Sequence, residues 1–332
     1  MKLRNIYIIA AAVVVLITPA VLFLYFNSPP AGTETEVFSV DHGESVASVG
    51  RNLQTANHIR SSLFFVSMVR VLGKTQIIKS GEYEFRKNLK TMDIIDILAR
   101  GEVITIRFTV PEGLHMRQIA DLLQEKGIFK AESFLAACRD ESILERYSIP
   151  FDSAEGFLFP DTYIIAKGLS AESVVEIMIQ RFISNMKNSG LYEFLEEDIG
   201  RIVIVASLIE KEAKIDDERP IIAAVFYNRL QADKRLESCA TVQYILGETK
   251  ERLLYSDLRI KSPYNTYLNT GLPPGPISNP GLKSLKAAIF PADVDYLFFV
   301  SKHDGSHYFS TTYAEHLDAI ERYKPDTIGH LS

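Results

Sequence analysis

The chain has 332 residues, 47% of them hydrophobic. This length exceeds what one hydrophobic core usually organises, so we expect two or three folded domains and no intrinsic disorder. The 36 lysines and arginines against 42 aspartates and glutamates give a formal charge of −6 without any long basic run, which argues against nucleic acid as a partner. Two cysteines, Cys138 and Cys239, are too few for a disulfide scaffold and have no metal-ligand spacing.

The first predicted element is a membrane-spanning helix over Ile6–Phe26. This segment has no charged residue, and as a helix its length of ~30 Å matches the hydrocarbon core of a bilayer. Lys2 and Arg4 precede it, so the positive-inside rule places the N-terminus in the cytoplasm and the rest of the chain outside. A cleaved signal peptide is the alternative, but the apolar run is longer than an ordinary signal core. We therefore expect residues 1–27 to be a cytoplasmic tip and an uncleaved single-pass anchor.

Two similar stretches follow, at a constant offset of 70 residues. Residues 38–65 and 108–135 share a short strand pattern, a glycine turn and an amphipathic helix, with Leu53 matching Leu123. Further strand and helix pairs are predicted at 81–85 with 92–98 and at 156–159 with 174–178. We expect two small α+β modules, at residues 28–105 and 106–190, similar to LysM-like carbohydrate-binding modules. A packing or spacer role is the alternative.

Candidate catalytic chemistry lies at Arg201–Ala213. This segment is apolar on nearly every side of a helical wheel until Glu210 and Glu212, and such a helix is buried. A buried carboxyl tends to hold its proton near neutral pH, which is what a general acid requires. The wheel does not decide between the two glutamates. The alternative is that both begin the solvated end of the helix and make surface ion pairs.

Several long motifs stand in a fixed order along the chain. They are EGFLFPDTY at 155–163, ASLIEKE at 206–212, VFYNRL at 225–230, TVQY at 241–244, SPYNTY at 262–267 and GLPPGPISNPG at 271–281. In this order they resemble the MltG/YceG family of endolytic murein transglycosylases, which are anchored in the bacterial inner membrane. The resemblance covers nearly the whole chain. It implies an α+β protein with a mixed, helix-rich catalytic domain at residues 191–332.

The resemblance puts the catalytic glutamate on Glu210 and implies that further side chains bind the substrate. These are Asn228, Gln243, Tyr264, Asn265 and Tyr267. Tyrosine rings suit the apolar C–H faces of sugars, and amides suit their hydroxyl and N-acetyl groups. Turn and packing roles are the alternative for Tyr264, Asn265 and Tyr267. The pair Cys239-Ala240 departs from the family, which usually has Asp-Pro there. The resemblance therefore does not predict the conformation of this turn.

The implied reaction is that of a lyase. One carboxyl group protonates the leaving glycosidic oxygen and then takes the proton of the sugar's own C6 hydroxyl as it attacks C1, which gives a 1,6-anhydro end. No metal or other cofactor is expected, since His303, His307 and His316 have no ligand spacing. The expected partners are peptidoglycan glycan strands, membrane lipid and peptidoglycan synthases. A non-catalytic wall-binding scaffold and a hydrolase that uses water remain alternatives.

Overall fold

The computed structural model describes residues 17–41, 43–74, 78–248, 250 and 253–324. The chain forms two compact units: the first takes in residues up to Arg107 together with Ile164–Leu169, and the second consists of Phe108–Tyr163 and the chain from Ser170 onward. Both combine helices with short strands, which confirms the α+β class with helices predominating. Most of residues 106–190, predicted as a module of their own, belong to the same unit as residues 191–332. The predicted segment boundaries stay a prediction.

Residues 6–16 of the predicted membrane helix Ile6–Phe26 lie outside the described residues. Residues 17–27 are helical. They belong to the first unit and pack on its helix Ser62–Val71 through Phe23 and Phe26, whose ring centroids lie 5.6 and 6.0 Å from that of Phe64. Within the described ranges, no helix combines the length and the apolar character needed to cross a bilayer.

The first unit contains a two-stranded antiparallel sheet and helices that share its core. Its elements are β1 (Thr35–Val40), α1 (Val46–Thr55), α2 (Ser62–Val71), β2 (Gly81–Arg86) and α3 (Thr91–Arg100). The strands pair from Thr35↔Arg86 to Val40↔Gly81. Because side chains alternate along a strand, Phe38 and Tyr83 point into the core while Val37 is exposed. Ser45 caps α1, its side chain accepting a hydrogen bond from a backbone N–H of the first turn.

A second small sheet joins β3 (Thr105–Thr109) to β4 (Thr162–Ala166), and the chain passes between the units within these strands. The strand predicted at 156–159 is wrong, since this segment is a turn that precedes β4. Gly156 has φ +87°, and Asn279 Oδ1 accepts hydrogen bonds from the N–H groups of Gly156 and Leu158, each at 2.9 Å. A side chain distant in sequence therefore satisfies backbone groups that a strand would have used in a ladder.

The second unit is helix-rich. Its elements are α4 (Met116–Glu125), α5 (Ala131–Ala137), α6 (Glu141–Arg146), α7 (Ala171–Asn188), α8 (Tyr192–Glu212), α9 (Arg219–Gln231), α10 (Cys239–Leu246), α11 (Leu282–Ile289), β5 (Phe298–Ser301), β6 (His307–Ser310) and α12 (Tyr313–Arg322), with 3-10 turns at Asp216–Glu218 and Asp257–Arg259. Helix α8 packs against α9 and α11. The hairpin predicted around Asp304-Gly305 is confirmed, because β5 and β6 pair antiparallel from Phe298↔Ser310 to Ser301↔His307.

The helix predicted from Arg201 is the second half of α8. The backbone leaves helical geometry at Asp198, with φ −160° and ψ 68°. Asp198 Oδ1 accepts a hydrogen bond from the Arg201 N–H at 3.0 Å, as an N-cap does. Residues 203–209 are then all buried, which confirms the predicted buried helix. Helix α8 ends at Glu212, so the carboxyl groups of Glu210 and Glu212 both lie in its C-terminal turn, directly after the buried residues.

Candidate active site

Glu210 and Glu212 face different surroundings, because residues two apart on a helix are separated by about 200° around its axis. The Glu210 side chain is only 6% exposed, and donors meet both of its oxygens. Oε2 accepts from the Gly281 N–H at 2.9 Å, and Oε1 lies 3.4 Å from Arg219 Nη1. Arg219 is also buried and binds Asp216 through Nε at 3.1 Å. Glu210 is therefore part of a buried ion-pair network.

Another carboxyl, Glu112, lies beside this network. A Cβ placed on Gly281 would fall 1.9 Å from Glu112 Oε1, so this carboxyl rests directly against the glycine that binds Glu210. Burial, and then the charge of Glu210, raise the pKa of Glu112. Sequence reasoning did not find Glu112. It precedes Glu210 by nearly a hundred residues, and no spacing pattern connects the two.

Glu212 lines a cleft of about 500 Å³. Ser238 Oγ donates to Glu212 Oε1 at 2.6 Å, and burial raises the pKa of the Glu212 carboxyl. Ser238 is held by Thr266, whose Oγ1 accepts from the Ser238 N–H at 3.1 Å. The Thr266 hydroxyl in turn lies 3.0 Å from that of Thr241. A carboxyl with a raised pKa, fixed in position at the edge of a cleft, has the properties of a general acid.

The other walls of this cleft are rich in rings. They include Tyr267, Phe299, His307, Tyr313 and His316. His307 is fixed by Glu218, since its Nδ1 lies 2.7 Å from Glu218 Oε2. Aromatic faces pack well against the apolar C–H faces of sugar rings. The combination of rings and a carboxyl with a raised pKa therefore suits a carbohydrate substrate.

The predicted substrate-binding residues are spread over the second unit, and Tyr267 is the one that lines the cleft with Glu212. Asn228 Nδ2 donates to the carbonyls of Val294 and Tyr296 at 2.7 and 3.0 Å. Asn265 is fully buried, and its Nδ2 donates to two carbonyls of the preceding segment at 3.0 and 2.8 Å. These amides hold loops in place. Their role in substrate binding stays a prediction.

Gln243 and Tyr264 lie further along α10 and the following loop. Gln243 Nε2 donates to the Lys250 carbonyl at 3.1 Å. Tyr264 lines a second cleft, of about 270 Å³, together with Tyr244, and the centroids of the two rings are 5.1 Å apart. The structure thus divides the predicted binding residues between two clefts, a small cavity lined by Gln243 and the loops beside them.

Glu155 is a buried carboxyl that sequence reasoning did not single out, although it opens the first of the motifs. It is 2% exposed, and its oxygens accept from the Met116 N–H at 2.9 and 3.0 Å. Asn279 Nδ2 donates to it at 2.8 Å, and Tyr244 Oη lies 3.5 Å away. Burial raises the pKa of Glu155 to about 8, against the effect of these donors. Glu155 links motif 155–163 to the glycine- and proline-rich loop 271–281.

The sequence profile of the YceG-like family matches residues 38–322. The chain belongs to the YceG-like family. It is 33% identical over 308 residues to the endolytic murein transglycosylase of Bacillus subtilis (strain 168), which covers 86% of this chain and 84% of that protein. The endolytic murein transglycosylase of Streptococcus pneumoniae (strain D39) is 30% identical over 312 residues, 83% of this chain. The alignment spans 56% of that protein's length.

The fold also resembles a solved member of the YceG-like family. The crystal structure of a YceG-like protein from Listeria monocytogenes superposes with a TM-score of 0.59 at 33% identity, over 86% of this chain and 99% of that one. Cys239-Ala240 begins α10 directly after Ser238, its N-cap residue. Cys239 Sγ lies 3.0 Å from Tyr267 Oη and lines the same cleft as Glu212. Burial raises the pKa of this thiol, which favours its neutral form.

Proposed function

We propose that this YceG-like chain is a lytic transglycosylase of peptidoglycan that cleaves MurNAc–GlcNAc bonds within glycan strands and terminates the elongation of nascent strands. The observation that carries the proposal is the Glu212 carboxyl, whose pKa is raised, in a cleft lined by aromatic rings. The relatives that bear the name endolytic murein transglycosylase support it.

In the proposed reaction, a single carboxyl at the end of α8 acts first as acid and then as base. It protonates the glycosidic oxygen as the bond from C1 to that oxygen breaks. The resulting carboxylate removes the proton of the C6 hydroxyl while O6 bonds to C1, which closes a 1,6-anhydro ring and restores the acid. No water is consumed, and the second catalytic carboxyl of ordinary glycosidases is not needed.

The contacts of the two glutamates favour Glu212 as this acid. Gly281 and Arg219 engage both oxygens of Glu210, whereas Glu212 lines the cleft. Burial raises the pKa of the Glu212 carboxyl. The assignment of the acid to Glu210, which the sequence resemblance implies, stays a prediction. It makes Glu210 the rival candidate, two positions earlier on the same helix.

We further propose that Ile6–Phe26 anchors the chain in the bacterial cytoplasmic membrane, with the N-terminus inside and both units outside. LysM-like modules at residues 28–105 and 106–190 would then hold the glycan strand close to the membrane. Because nascent strands are made at this surface, peptidoglycan synthases are the expected protein partners. The sequence of the apolar segment and its Lys2 and Arg4 flank support the anchor.

Mass spectrometry of the products tests the proposed reaction. Purified full-length protein in detergent is incubated with peptidoglycan, with and without EDTA, and the new chain ends are identified. We expect 1,6-anhydro-muramyl ends from internal cuts, in equal amounts in the two samples. Reducing muramyl ends alone would identify a hydrolase, and binding without any cleavage would favour a wall-binding scaffold.

A further inference from the structure

The second cleft, of about 270 Å³, carries positive charge that a sugar strand alone does not require. Arg117 and Arg139 line it together with Asp152 and the rings of Tyr244 and Tyr264. Arg117 belongs to the first turn of α4, and Arg139 directly follows the last turn of α5. Two guanidinium groups against one carboxylate leave the cleft with a net positive charge. N-acetylated sugars are uncharged, so another part of a ligand must account for it.

Arg117 and Arg139 make few polar contacts with the described residues of the protein. Within the described part of the chain, neither forms a salt bridge with a carboxylate. Arg139 Nη1 donates to the Leu135 carbonyl at 3.3 Å, and Arg117 Nη1 lies 3.8 Å from the position of a Cβ on Gly247. Both residues are exposed. Their guanidinium groups therefore keep donors free for a ligand, and the planar guanidinium fork matches a carboxylate.

Helix α10 connects this cleft to the cleft of Glu212. Cys239, at the start of α10, lines the Glu212 cleft, and Tyr244 lines the arginine cleft. Five residues of helix correspond to a rise of about 7.5 Å. A small cavity beside α10, lined by Lys211 and Gln243, shares Tyr244 with the arginine cleft. At about 100° per residue, Cys239 and Tyr244 also point about 140° apart, so a ligand that reaches both clefts passes around α10.

We propose that the arginine cleft binds a carboxylate of the peptide that is attached to the muramyl sugars of peptidoglycan. The inference rests on the proposed function, because it takes the ligand to be a peptide-bearing glycan strand whose reacting bond lies at Glu212. In a peptide-bearing strand the lactyl carboxyl is tied up in an amide, so the peptide itself supplies the carboxylates. Arg117 and Arg139 bind the carboxylate, while Tyr244 and Tyr264 pack against the apolar parts of the peptide.

The test compares two substrates that differ in the charge of their carboxyl groups. Peptide-bearing glycan strands are used as they are, or after their carboxylates have been converted to methylamides with carbodiimide and methylamine. Full-length wild-type protein, the double variant Arg117→Gln/Arg139→Gln and the control Arg51→Gln, an exposed arginine on α1, are assayed for turnover. We expect the double variant to raise KM about tenfold or more for the charged strands, with kcat unchanged. For the methylamide strands, wild type and double variant should have the same KM.

A binding measurement makes the inference independent of turnover. A disaccharide-peptide, which has no internal muramyl bond to cleave, and its methylamide are titrated calorimetrically into each protein. Weaker binding of the charged ligand by the double variant alone supports the inference, even if no strand is cut and the proposed reaction fails. Equal effects on both ligands, or none on either, would overturn it while leaving the transglycosylase proposal standing. Thermal unfolding of each variant checks that the fold is retained.

Discussion

The buried carboxyl of Glu155 makes the stability of the second unit depend on pH in a defined direction. Burial raises its pKa from 4.5 to about 8 in the folded chain, even though Met116, Asn279 and Tyr244 donate hydrogen bonds to it. Between these pH values the folded state holds a proton that the unfolded state has released. The stabilisation is therefore complete below pH 4.5 and is lost as the pH rises through about 8.

The magnitude follows from the difference between the two pKa values. Each unit corresponds to about 1.4 kcal/mol, so the rise from 4.5 to about 8 allows a loss of at most about 5 kcal/mol. Replacing Glu155 by glutamine removes the titration and keeps the size of the side chain. As the pH rises, the free energy of unfolding should then fall by up to this amount less in the variant than in wild type. The largest difference between the two proteins is expected near pH 8 and above.

Scanning calorimetry of the full-length protein from pH 5 to pH 9 measures this effect. Glu145→Gln is the matched control, because Glu145 is exposed on α6. We expect the unfolding transition of the second unit to move to lower temperature with rising pH in wild type and in the control, and less so in Glu155→Gln. Parallel pH profiles for wild type and Glu155→Gln would refute the assignment of a raised pKa to this carboxyl.

Three further predictions concern the backbone, a buried amide and the anchor. Gly156→Ala should lower the free energy of unfolding in urea by about 3 kcal/mol or more, because φ is +87° and the new Cβ would lie 2.6 Å from Val203 Cγ1. The control Gly73→Ala, at φ +67° with open space around it, should lower it by only about 1–2 kcal/mol. Asn265→Ala should lower stability by about 2–4 kcal/mol, and a rise in KM at unchanged stability would instead assign this amide to the substrate. Protease added to spheroplasts should digest both units, and a mature N-terminus near residue 30 would contradict an anchor at Ile6–Phe26.

Local sequence signals predicted a good part of the fold. The continuous apolar pattern of residues 201–213 predicted the buried half of α8, and Asp304-Gly305 between apolar strands predicted the β5–β6 hairpin. The apolar run at 156–159 has the same appearance as a strand, yet the Asn279 side chain holds it in a turn. This contact comes from a residue more than a hundred positions away, so no local sequence pattern predicts it.

The candidate site was harder to predict than the fold, because its geometry comes from contacts between distant segments. The order of the motifs predicts Glu210 as the acid. Only the packing of α8 shows that Glu210 lies beside the buried Arg219, whereas Glu212 lines a cleft. Asn228 is an amide that suits sugars, yet its Nδ2 donates to backbone carbonyls of a loop. Glu112 carries no signal of its own, since its position against Gly281 depends entirely on the tertiary fold.

The central claim, that a carboxyl at the end of α8 cuts glycan strands from within the aromatic cleft, is tested most directly by comparing Glu212→Gln with Glu210→Gln. The measurement is the rate of 1,6-anhydro-end formation per folded molecule, with thermal unfolding used to determine the folded fraction. Glutamine keeps the size but loses the transferable proton, so Glu212→Gln should lower turnover by ~10²–10⁴ or more. Glu210→Gln should act mainly through stability and leave measurable turnover. Near-normal turnover in Glu212→Gln together with full loss in Glu210→Gln would contradict the account and move the acid to Glu210.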